Sequence, residues 1–193
     1  MKRNISDRNI LDDFCHRFCD VLESHCKYIV VSGFVAISSG RTRGTEDIDI
    51  IIERLDKERF LSLHKDLVKA GFVCMQSDEP EELFARYLAE KTSIRYTFDD
   101  YPVPEMELMF SKDLLDDMQI ETRIKLALTG LDVWFSNINV NIAFKELYLG
   151  ADKDMEDALH LRTVYKELVN EQEIDRIKDM IRKYRMNRKQ GYE

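Results

Sequence analysis

Residues 28–53 constrain the fold most, because the pattern of apolar, charged and glycine residues changes several times over this short segment. An apolar run, Tyr28–Val31, ends at Ser32-Gly33, and an arginine- and glycine-containing loop follows a short amphipathic stretch. The chain then enters Asp47–Ile52, where aspartate first alternates with isoleucine. Alternation of polar and apolar residues is typical of a strand with one buried face. The segment therefore predicts strands over 28–32 and 47–52, joined by a turn, a helix over 33–39 and a loop.

The two aspartates of the second strand, Asp47 and Asp49, lie one residue apart. Because side chains alternate between the faces of a strand, both carboxylates project from the same face. Neighbouring carboxylates repel each other, and a divalent cation bound through oxygen ligands compensates for that repulsion. The pair therefore predicts a site for Mg²⁺ or Mn²⁺.

The turn and the loop before this strand favour phosphate. Gly33 allows the backbone to approach a ligand at the start of a helix, where free N–H groups attract phosphate. Arg41 and Arg43 add positive charge beside the same site, and arginine suits bidentate phosphate contacts. A phosphate site next to a metal site indicates phosphoryl or nucleotidyl transfer from a nucleoside triphosphate, NTP.

The order of these motifs resembles the signature of the nucleotidyltransferase fold related to DNA polymerase beta. It is most similar to the small prokaryotic nucleotidyltransferases of the abortive-infection toxin type, which often read Gly-Gly and then Arg-Ala-Thr-x-Asp-Ile-Asp. The matching residues here are Ser32-Gly33 and Arg43-Gly44-Thr45-Glu46-Asp47-Ile48-Asp49. Ser32 replaces the usual first glycine, and its hydroxyl can still donate to a phosphate. The resemblance implies nucleotide binding by Ser32, Gly33, Arg43 and Thr45.

The implied fold needs a third carboxylate on a strand beside the one that carries the aspartates. Glu107 is our choice, because the apolar residues of the predicted strand 105–110 then fill the opposite face. Glu105 lies on the same face and is the alternative, although Pro104 places it at the start of the strand. A simpler interpretation is an edge strand with solvated glutamates.

A second motif of the same resemblance lies further along the chain. The abortive-infection type carries a lysine on a short helix and then Lys-Asp-x-x-Asp at the start of the next helix, and Lys145, Lys153, Asp154 and Asp157 match in order and spacing. The resemblance implies that Lys145 contacts the triphosphate or assists the attacking hydroxyl, and that Asp154 or Asp157 orients that hydroxyl. The alternative is a surface lysine followed by acidic residues that complement a helix dipole.

The remaining periodicity predicts an α+β fold, a mixed β-sheet nucleotidyltransferase core flanked by helices, with a helical C-terminal region. Further helices are expected over 5–26, with Ser6 and Asp7 as caps, and over 56–70, 81–89, 142–149, 153–169 and 171–186. Further strands are expected over 72–75 and 93–98, with a turn at 99–102 and a hairpin over 122–135 around Thr129-Gly130. Residues 85–89 are the one stretch for which an extended conformation is an alternative. We expect two units, the core with its N-terminal helix over 1–118 and the hairpin plus helices over 119–193.

Composition limits the range of partners. The formal net charge of −8 argues against a surface that binds nucleic acid as a whole. A local basic run over 176–189 is a candidate RNA-binding face, although a solvated helix face is the simpler interpretation. We see no signal peptide or membrane span and expect a cytoplasmic protein without a membrane partner. The four cysteines match no common zinc spacing, so we expect free core thiols.

Together these patterns predict a metal-dependent enzyme that moves a nucleoside monophosphate from an NTP to an acceptor hydroxyl. The predicted metal ligands are Asp47, Asp49 and Glu107. The acceptor remains open among RNA such as the 3′ end of tRNA, a protein and a small molecule such as an aminoglycoside. The resemblance adds a toxin–antitoxin or phage-defence context with a cognate toxin or antitoxin partner.

Three alternatives remain open at this point. One is a catalytically inactive nucleotide-binding or protein-partner module of the same fold. Another is an antitoxin that adds AMP to a helical toxin. The last is an unrelated α+β domain in which the motifs are coincidental.

Overall fold

The computed structural model describes residues 9–42, 44–45, 47–99 and 101–190, and it contains one mixed sheet with helices around it. The strands are β1 (Tyr28–Val31), β2 (Asp47–Ile52), β3 (Phe72–Cys74), β4 (Ile94–Phe98), β5 (Tyr101–Phe110), β6 (Ile124–Lys125) and β7 (Trp134–Phe135). The helices are α1 (Ile10–Glu23), α2 (Gly33–Ser38), α3 (Lys57–Lys69), α4 (Pro80–Glu82), α5 (Leu114–Glu121), α6 (Ile138–Ala143), α7 (Asp152–Val164) and α8 (Glu171–Gln190). Helices α4 and α6 continue as π-helical turns over Leu83–Leu88 and Phe144–Leu149.

The sheet has seven strands in the order β3-β4-β5-β2-β1-β7-β6. Strand β2 lies at its centre, antiparallel to β1 and parallel to β5. The predicted α+β class with a mixed sheet is therefore confirmed. Because β2 has a neighbour on each side, the residues of its two faces are placed by two ladders of backbone hydrogen bonds.

The two faces of β2 have different environments. Ile48, Ile50 and Ile52 are fully buried in the main core, which α1 and α3 complete with Phe14, Phe18, Phe60 and Leu63. The opposite face carries the two aspartates and then Ile51, which packs with Ile29 of β1 and Ile120 of α5. The alternation read from the sequence thus separates an apolar face from a face that is polar at one end.

Helix α1 begins later than the sequence indicates. Asn9 is its cap, and its side chain accepts from the backbone of Asp12 at 3.0 Å while Asp12 accepts from the backbone of Asn9 at 3.1 Å. This reciprocal arrangement satisfies two backbone donors at the helix start, so the helix begins at Ile10. The predicted caps Ser6 and Asp7 lie outside the described residues.

Strand β5 begins at Tyr101, so the prediction of a turn through residue 102 and a strand from residue 105 was wrong in its boundary. The two prolines of this strand precede Glu105, where pairing with β2 begins. Residues 101–104 therefore have β4 as their only paired strand among the described residues, and proline is tolerated where no ladder donor is needed.

Several other boundaries differ from the expectation. Residues 81–89 are helical almost throughout, and the extended alternative is wrong. The predicted hairpin exists, but its strands are two residues each and a 3-10 turn, Ala127–Thr129, lies between them. The helix expected from residue 142 begins at Ile138, because the side chain of Asn137 caps it through the backbone of Asn139 at 2.9 Å. The helix expected to reach residue 169 ends at Val164.

Helix α5 is absent from the sequence-based expectation. It spans the predicted boundary at residue 118, and the division into two units stays a prediction.

The cysteines are free, with Cys15, Cys19 and Cys74 buried, as expected. Within the part of the chain that the structure describes, no helix is long and apolar enough to cross a membrane.

The core can be tested with the same substitution at a buried and an exposed helical leucine. Leu63 of α3 is fully buried, whereas Leu159 of α7 is 66% exposed. We expect Leu63→Ala to lower the free energy of unfolding by about 2–5 kcal/mol, since it removes buried apolar contacts and leaves a cavity. Leu159→Ala should change it by less than about 0.5 kcal/mol. Urea denaturation measures both, and similar losses would contradict the packing described.

Candidate active site

The predicted acidic residues meet on one face of the sheet. Parallel pairing of β2 with β5 aligns Asp47 with Glu105 and Asp49 with Glu107. Antiparallel pairing of β1 with β2 aligns Val31 with Asp49, so the turn at Ser32 follows directly beside Asp49. The arrangement brings Asp47, Asp49 and Glu107 together with Ser32, although these residues come from distant parts of the chain.

The carboxyl group of Asp49 has a shifted pKa. Burial raises the pKa of the Asp49 carboxyl, and repulsion from Glu107 and Asp47 raises it further. A hydrogen bond from Ser32 and the positive charge of Lys145 act in the opposite direction. The native environment thus disfavours the ionised form of Asp49 relative to water, because its burial and its acidic neighbours outweigh the contributions of Ser32 and Lys145.

Glu107 has one partner on the neighbouring strand β4 and one on the residue just before that strand. Its Oε1 accepts from Ser93 Oγ at 2.6 Å, and its Oε2 lies 3.5 Å from Arg95 Nη2. Arg95 also lies 3.6 Å from Glu105. The interpretation of β5 as an edge strand with solvated glutamates is wrong, because β5 pairs on both sides and both glutamates are partly buried.

The acidic residues fit a divalent cation in their chemistry. They supply carboxylate oxygens from adjacent strands, and their mutual repulsion is what a cation relieves. In the described part of the chain, no three histidine, cysteine or acidic side chains are gathered closely enough to form a ready ligand set. The side chain of Glu107 is engaged by Ser93 and Arg95 instead.

Ser32 adopts a backbone conformation that favours glycine. Its φ is 62° and its ψ is −138°, where the Cβ atom of an L-residue is crowded. The residue nevertheless hydrogen-bonds Asp49 through its side chain. The replacement of the usual glycine by Ser32 therefore strains the turn and adds a donor beside the acidic residues.

Lys145 is almost completely buried, so its interpretation as a surface lysine is wrong. Its Nζ donates to Asp157 Oδ2 at 2.8 Å and lies 3.9 Å from Asp154 Oδ1. Asp157 is fully buried and Asp154 is 6% exposed, so these residues do more than complement a helix dipole in solvent. The structure thus brings Lys145, Asp154 and Asp157 into one ionic cluster close to Asp49.

Arg41 completes this cluster. Its Nη1 donates to Asp157 and to the backbone oxygen of Lys153, and its Nη2 lies 2.5 Å from Glu156. The guanidinium of Arg41, which the sequence predicts beside a phosphate, is therefore bound to α7.

In the loop before β2, Thr45 Oγ1 donates to the backbone oxygen of Asp47 at 3.0 Å. Arg43 lies outside the described residues.

A cleft of about 640 Å³ contains part of this site. Three of the predicted residues line it, namely Ser32, Asp49 and Lys145. The remaining polar lining was missed by sequence reasoning and comes mainly from α5, α6 and α8: Lys91, Lys112, Asp113, Asp116, Gln119, Asn141, Tyr148 and Tyr184. Of these, Asp116 has its pKa raised by burial, and Tyr184 donates to Asp113 at 2.8 Å. No local signal marks them, because Asp113 and Asp116 look like ordinary residues of a helix start.

The C-terminal basic run is largely engaged within the molecule. Lys178 lies 2.5 Å from Glu146, and Arg182 lies 2.6 Å from Asp179. Arg185 donates to the backbone oxygens of Leu147 and Tyr148. The side chains of Arg188 and Lys189 lie outside the described residues. Arg176 and Lys183 are exposed and have no such partner among the described residues, so only part of the charge of this run is neutralised within the molecule.

Comparison with known proteins identifies the fold. No family model matches the chain, and no curated protein matches it. Solved structures do match over most of their length. The solution structure of the antibiotic-resistance factor ANT(2'')-Ia has a TM-score of 0.58 and 12% identity, covering 94% of this chain and 96% of that one. The crystal structure of ANT(2'')-Ia in complex with adenylyl-2''-tobramycin has a TM-score of 0.55 and 14% identity, covering 91% and 99%.

A third solved structure also shares this fold. The crystal structure of an antigenic nucleotidyltransferase-like protein from Paracoccidioides brasiliensis has a TM-score of 0.54 and 18% identity, covering 92% of this chain and 89% of that one. At these identities the likeness shows the fold alone. The chain has a nucleotidyltransferase fold, as the sequence resemblance implies, and the closer relation to the abortive-infection type stays a prediction.

The strained turn gives a direct test. Both Ser32→Gly and Ser32→Ala remove the hydroxyl that bonds Asp49, but only alanine keeps a Cβ atom at a φ of 62°. We expect the glycine variant to be more stable than the alanine variant by about 1–3 kcal/mol. Alanine is the more stabilising residue in regular structure, so the opposite order in thermal unfolding would show that this turn is unstrained.

The raised pKa of Asp49 predicts a pH-dependent stability. The native state keeps the Asp49 proton to higher pH than the unfolded state, so ionisation destabilises the fold as pH rises above the unfolded pKa of about 3.9. Asp49→Asn should therefore be more stable than the wild type at pH 7 in EDTA, and the gain should disappear at acidic pH where both states are protonated. Thermal unfolding across pH measures this.

The exposed Asp175 of α8 provides a matched Asp→Asn control, and no such gain is expected there. If Asp49→Asn were equally or less stable than the wild type at neutral pH, the carboxylates would not be repelling one another as described.

Proposed function

We propose that this protein is an NTP-dependent nucleotidyltransferase that transfers a nucleoside monophosphate to an acceptor hydroxyl and releases pyrophosphate. One observation carries the proposal: Asp49 and Glu107 are paired on parallel strands beside the Ser32 turn, in a chain with a nucleotidyltransferase fold. Asp49 and Ser32 also line the cleft, which has room for a nucleotide. The site therefore combines a place for a cation with a place for phosphates.

Asp47, Asp49 and Glu107 would hold Mg²⁺ or Mn²⁺. When bound, such a cation neutralises triphosphate charge and lowers the pKa of the acceptor hydroxyl. Ser32 supports this proposal through its bond to Asp49, which places its hydroxyl at the same site. We assign the phosphates of the NTP to Ser32 and the Gly33 amide, with Thr45 in the adjoining loop and Arg43 neutralising the leaving pyrophosphate.

The buried ionic cluster supplies the remaining roles. Lys145 lies close enough to Asp49 to lower the pKa of its carboxyl, which supports our assignment of its ammonium group to the triphosphate or the attacking hydroxyl. Asp157 holds Lys145 at 2.8 Å and acts as a positioning residue. Asp154, on the same helix and 3.9 Å from Lys145, is our choice to orient the acceptor hydroxyl.

For the acceptor we favour a small molecule. The ANT(2'')-Ia crystal structure contains adenylyl-2''-tobramycin, so this fold admits a nucleotidylated small molecule there. The net charge of −8 weighs against tRNA. The polar lining of the cleft, which includes Asp113, Asp116, Lys91 and Lys112, offers hydrogen-bonding groups to a polyhydroxylated molecule such as an aminoglycoside. Incubation with each radiolabelled NTP and a cell extract, followed by separation of RNA, protein and small molecules, tests this choice.

The second candidate is a catalytically inactive module that binds nucleotide or a protein partner, including a toxin or antitoxin. The observation in its favour is the engagement of Glu107 by Ser93 and Arg95, which competes with a metal. Calorimetric titration with ATP, with and without Mg²⁺, followed by a pyrophosphate-release assay, separates the two candidates. Binding without pyrophosphate release for any NTP and acceptor would favour the inactive module.

Asp49→Asn tests the proposed activity. We expect it to reduce pyrophosphate release by at least about 100-fold while the protein stays folded, because it removes a charged ligand from the proposed metal site. Asp175→Asn, on the exposed face of α8, should retain wild-type rates.

A thermal measurement accompanies the activity assay. Millimolar Mg²⁺ should raise the melting temperature of the wild type, since binding to the native state stabilises it. The rise should be smaller in Asp49→Asn. Unchanged turnover in this variant, or no effect of Mg²⁺ on the wild type, would contradict the metal-dependent site.

A further inference from the structure

Two buried amide side chains line the cleft without using all of their hydrogen-bonding groups. Gln119 of α5 is 5% exposed and Asn141 of α6 is 4% exposed. Both belong to a small network built on Ser136, which lies between β7 and α6. A polar side chain buried to this degree normally satisfies its donors and acceptors, so each remaining group requires an explanation.

Both amides are bonded to Ser136, and the backbone carbonyl of Ser136 fixes the direction of Asn141 because it can only accept. Ser136 Oγ donates to Gln119 Oε1 at 3.0 Å, and Asn141 Nδ2 donates to the backbone oxygen of Ser136 at 3.0 Å. In this arrangement Gln119 uses its carbonyl and keeps its NH₂ group, whereas Asn141 uses its NH₂ group and keeps its carbonyl. Neither remaining group has a hydrogen-bond partner among the residues that the structure describes, and neither is sealed from solvent. The cleft thus presents the Asn141 carbonyl and one amide atom of Gln119 on either side of Ser136.

The network lies close to the proposed phosphate and metal groups. The backbone nitrogen of Ser136 donates to Val30 of β1 at 3.0 Å, two residues before Ser32. Asn141 and Lys145 are four residues apart on one helical segment, and such residues are neighbours about 5–6 Å apart between Cβ atoms. A group bound by the amide pair therefore lies about one helical turn from the Lys145 position.

We propose that Gln119 and Asn141 bind the 2′- and 3′-hydroxyls of the nucleotide ribose, an inference that rests on the proposed function. A hydroxyl donates and accepts, so a vicinal diol can bond the Asn141 carbonyl and the Gln119 amide at the same time, whichever amide atom of Gln119 faces the cleft. The ribose joins the α-phosphate directly, which suits a position one turn from Lys145, whereas the edge of the base lies further away. The apolar lining by Leu115 and Phe144 is then left for the base.

The test measures binding of nucleotides that lack one hydroxyl. The probe is the α,β-methylene analogue of ATP, GTP, CTP or UTP that the wild type binds most tightly at millimolar Mg²⁺, compared with its 2′-deoxy and 3′-deoxy forms by calorimetry. We expect loss of either hydroxyl to weaken wild-type binding by about 3- to 10-fold, the effect of one hydrogen bond. Each of the variants Gln119→Met and Asn141→Leu should lose the preference for one hydroxyl. In each variant, the ribonucleotide should therefore bind with nearly the same affinity as either its 2′-deoxy form or its 3′-deoxy form.

Gln76→Met is the matched control. Gln76 follows β3, outside the lining of the cleft, and its Oε1 accepts from the backbone of Arg95 at 2.9 Å. It should keep the wild-type ratio between ribo and deoxy forms. Asn141→Leu leaves the Ser136 carbonyl unpaired and is the variant more prone to unfold, so Gln119→Met carries the test if that protein is not recovered.

The outcomes separate this proposal from the proposed function. Equal wild-type affinity for all three forms overturns the ribose assignment, and so does an unchanged ratio in Gln119→Met, as expected if the pair binds the acceptor. Nucleotide binding with the expected ratios but no pyrophosphate release supports the ribose site while it contradicts the proposed catalysis. No binding of any analogue by the wild type overturns both.

Discussion

The parallel pairing of β2 with β5 is the constraint on which the candidate site depends. It sets Asp49 opposite Glu107 and Asp47 opposite Glu105, while Ile48 and Ile50, which alternate with the aspartates, are buried in the main core. A shift of one residue in this register would turn the acids into the core and the isoleucines into the cleft. Burial of Ile48 and Ile50 therefore holds the carboxylates in place, although mutual repulsion opposes their approach.

Neighbouring side chains contact the acidic residues of this site. Ser32 donates to Asp49, and Glu107 is contacted by Arg95 of β4 and by Ser93, which precedes β4. The pKa of Asp49 nevertheless remains raised, because burial and the two neighbouring carboxylates outweigh the groups that lower it. Sites that bind cations or react with phosphate often keep such unfavourable electrostatics in the unliganded state. The strained backbone of Ser32 is a second energetically unfavourable feature of the same site.

Sequence reasoning predicted the parts of the site that leave a local signal. Alternation around Asp47 and Asp49 predicts the strand and its faces, and Glu107 follows from the same pattern in β5. The burial of Lys145 has no such signal, because Arg41 and Asp157, which complete its cluster, are separated by 116 residues. Helix α5 has only eight residues and an acidic start, so its role as a wall of the cleft follows from tertiary packing alone. The positive φ of Ser32 is equally hidden, since serine rarely adopts it.

Asp157 bonds two cationic side chains at once, and this limits which substitutions the three residues can tolerate during evolution. Its two carboxylate oxygens accept from Lys145 and from Arg41, which belong to the segment after β7 and the loop before β2. Loss of one partner of a buried ion pair costs about 3–5 kcal/mol, because the remaining charge is left uncompensated. Descendants of this gene that replace Asp157 are thus expected to replace Lys145 and Arg41 in concert. The three positions would then co-vary as a single inherited unit.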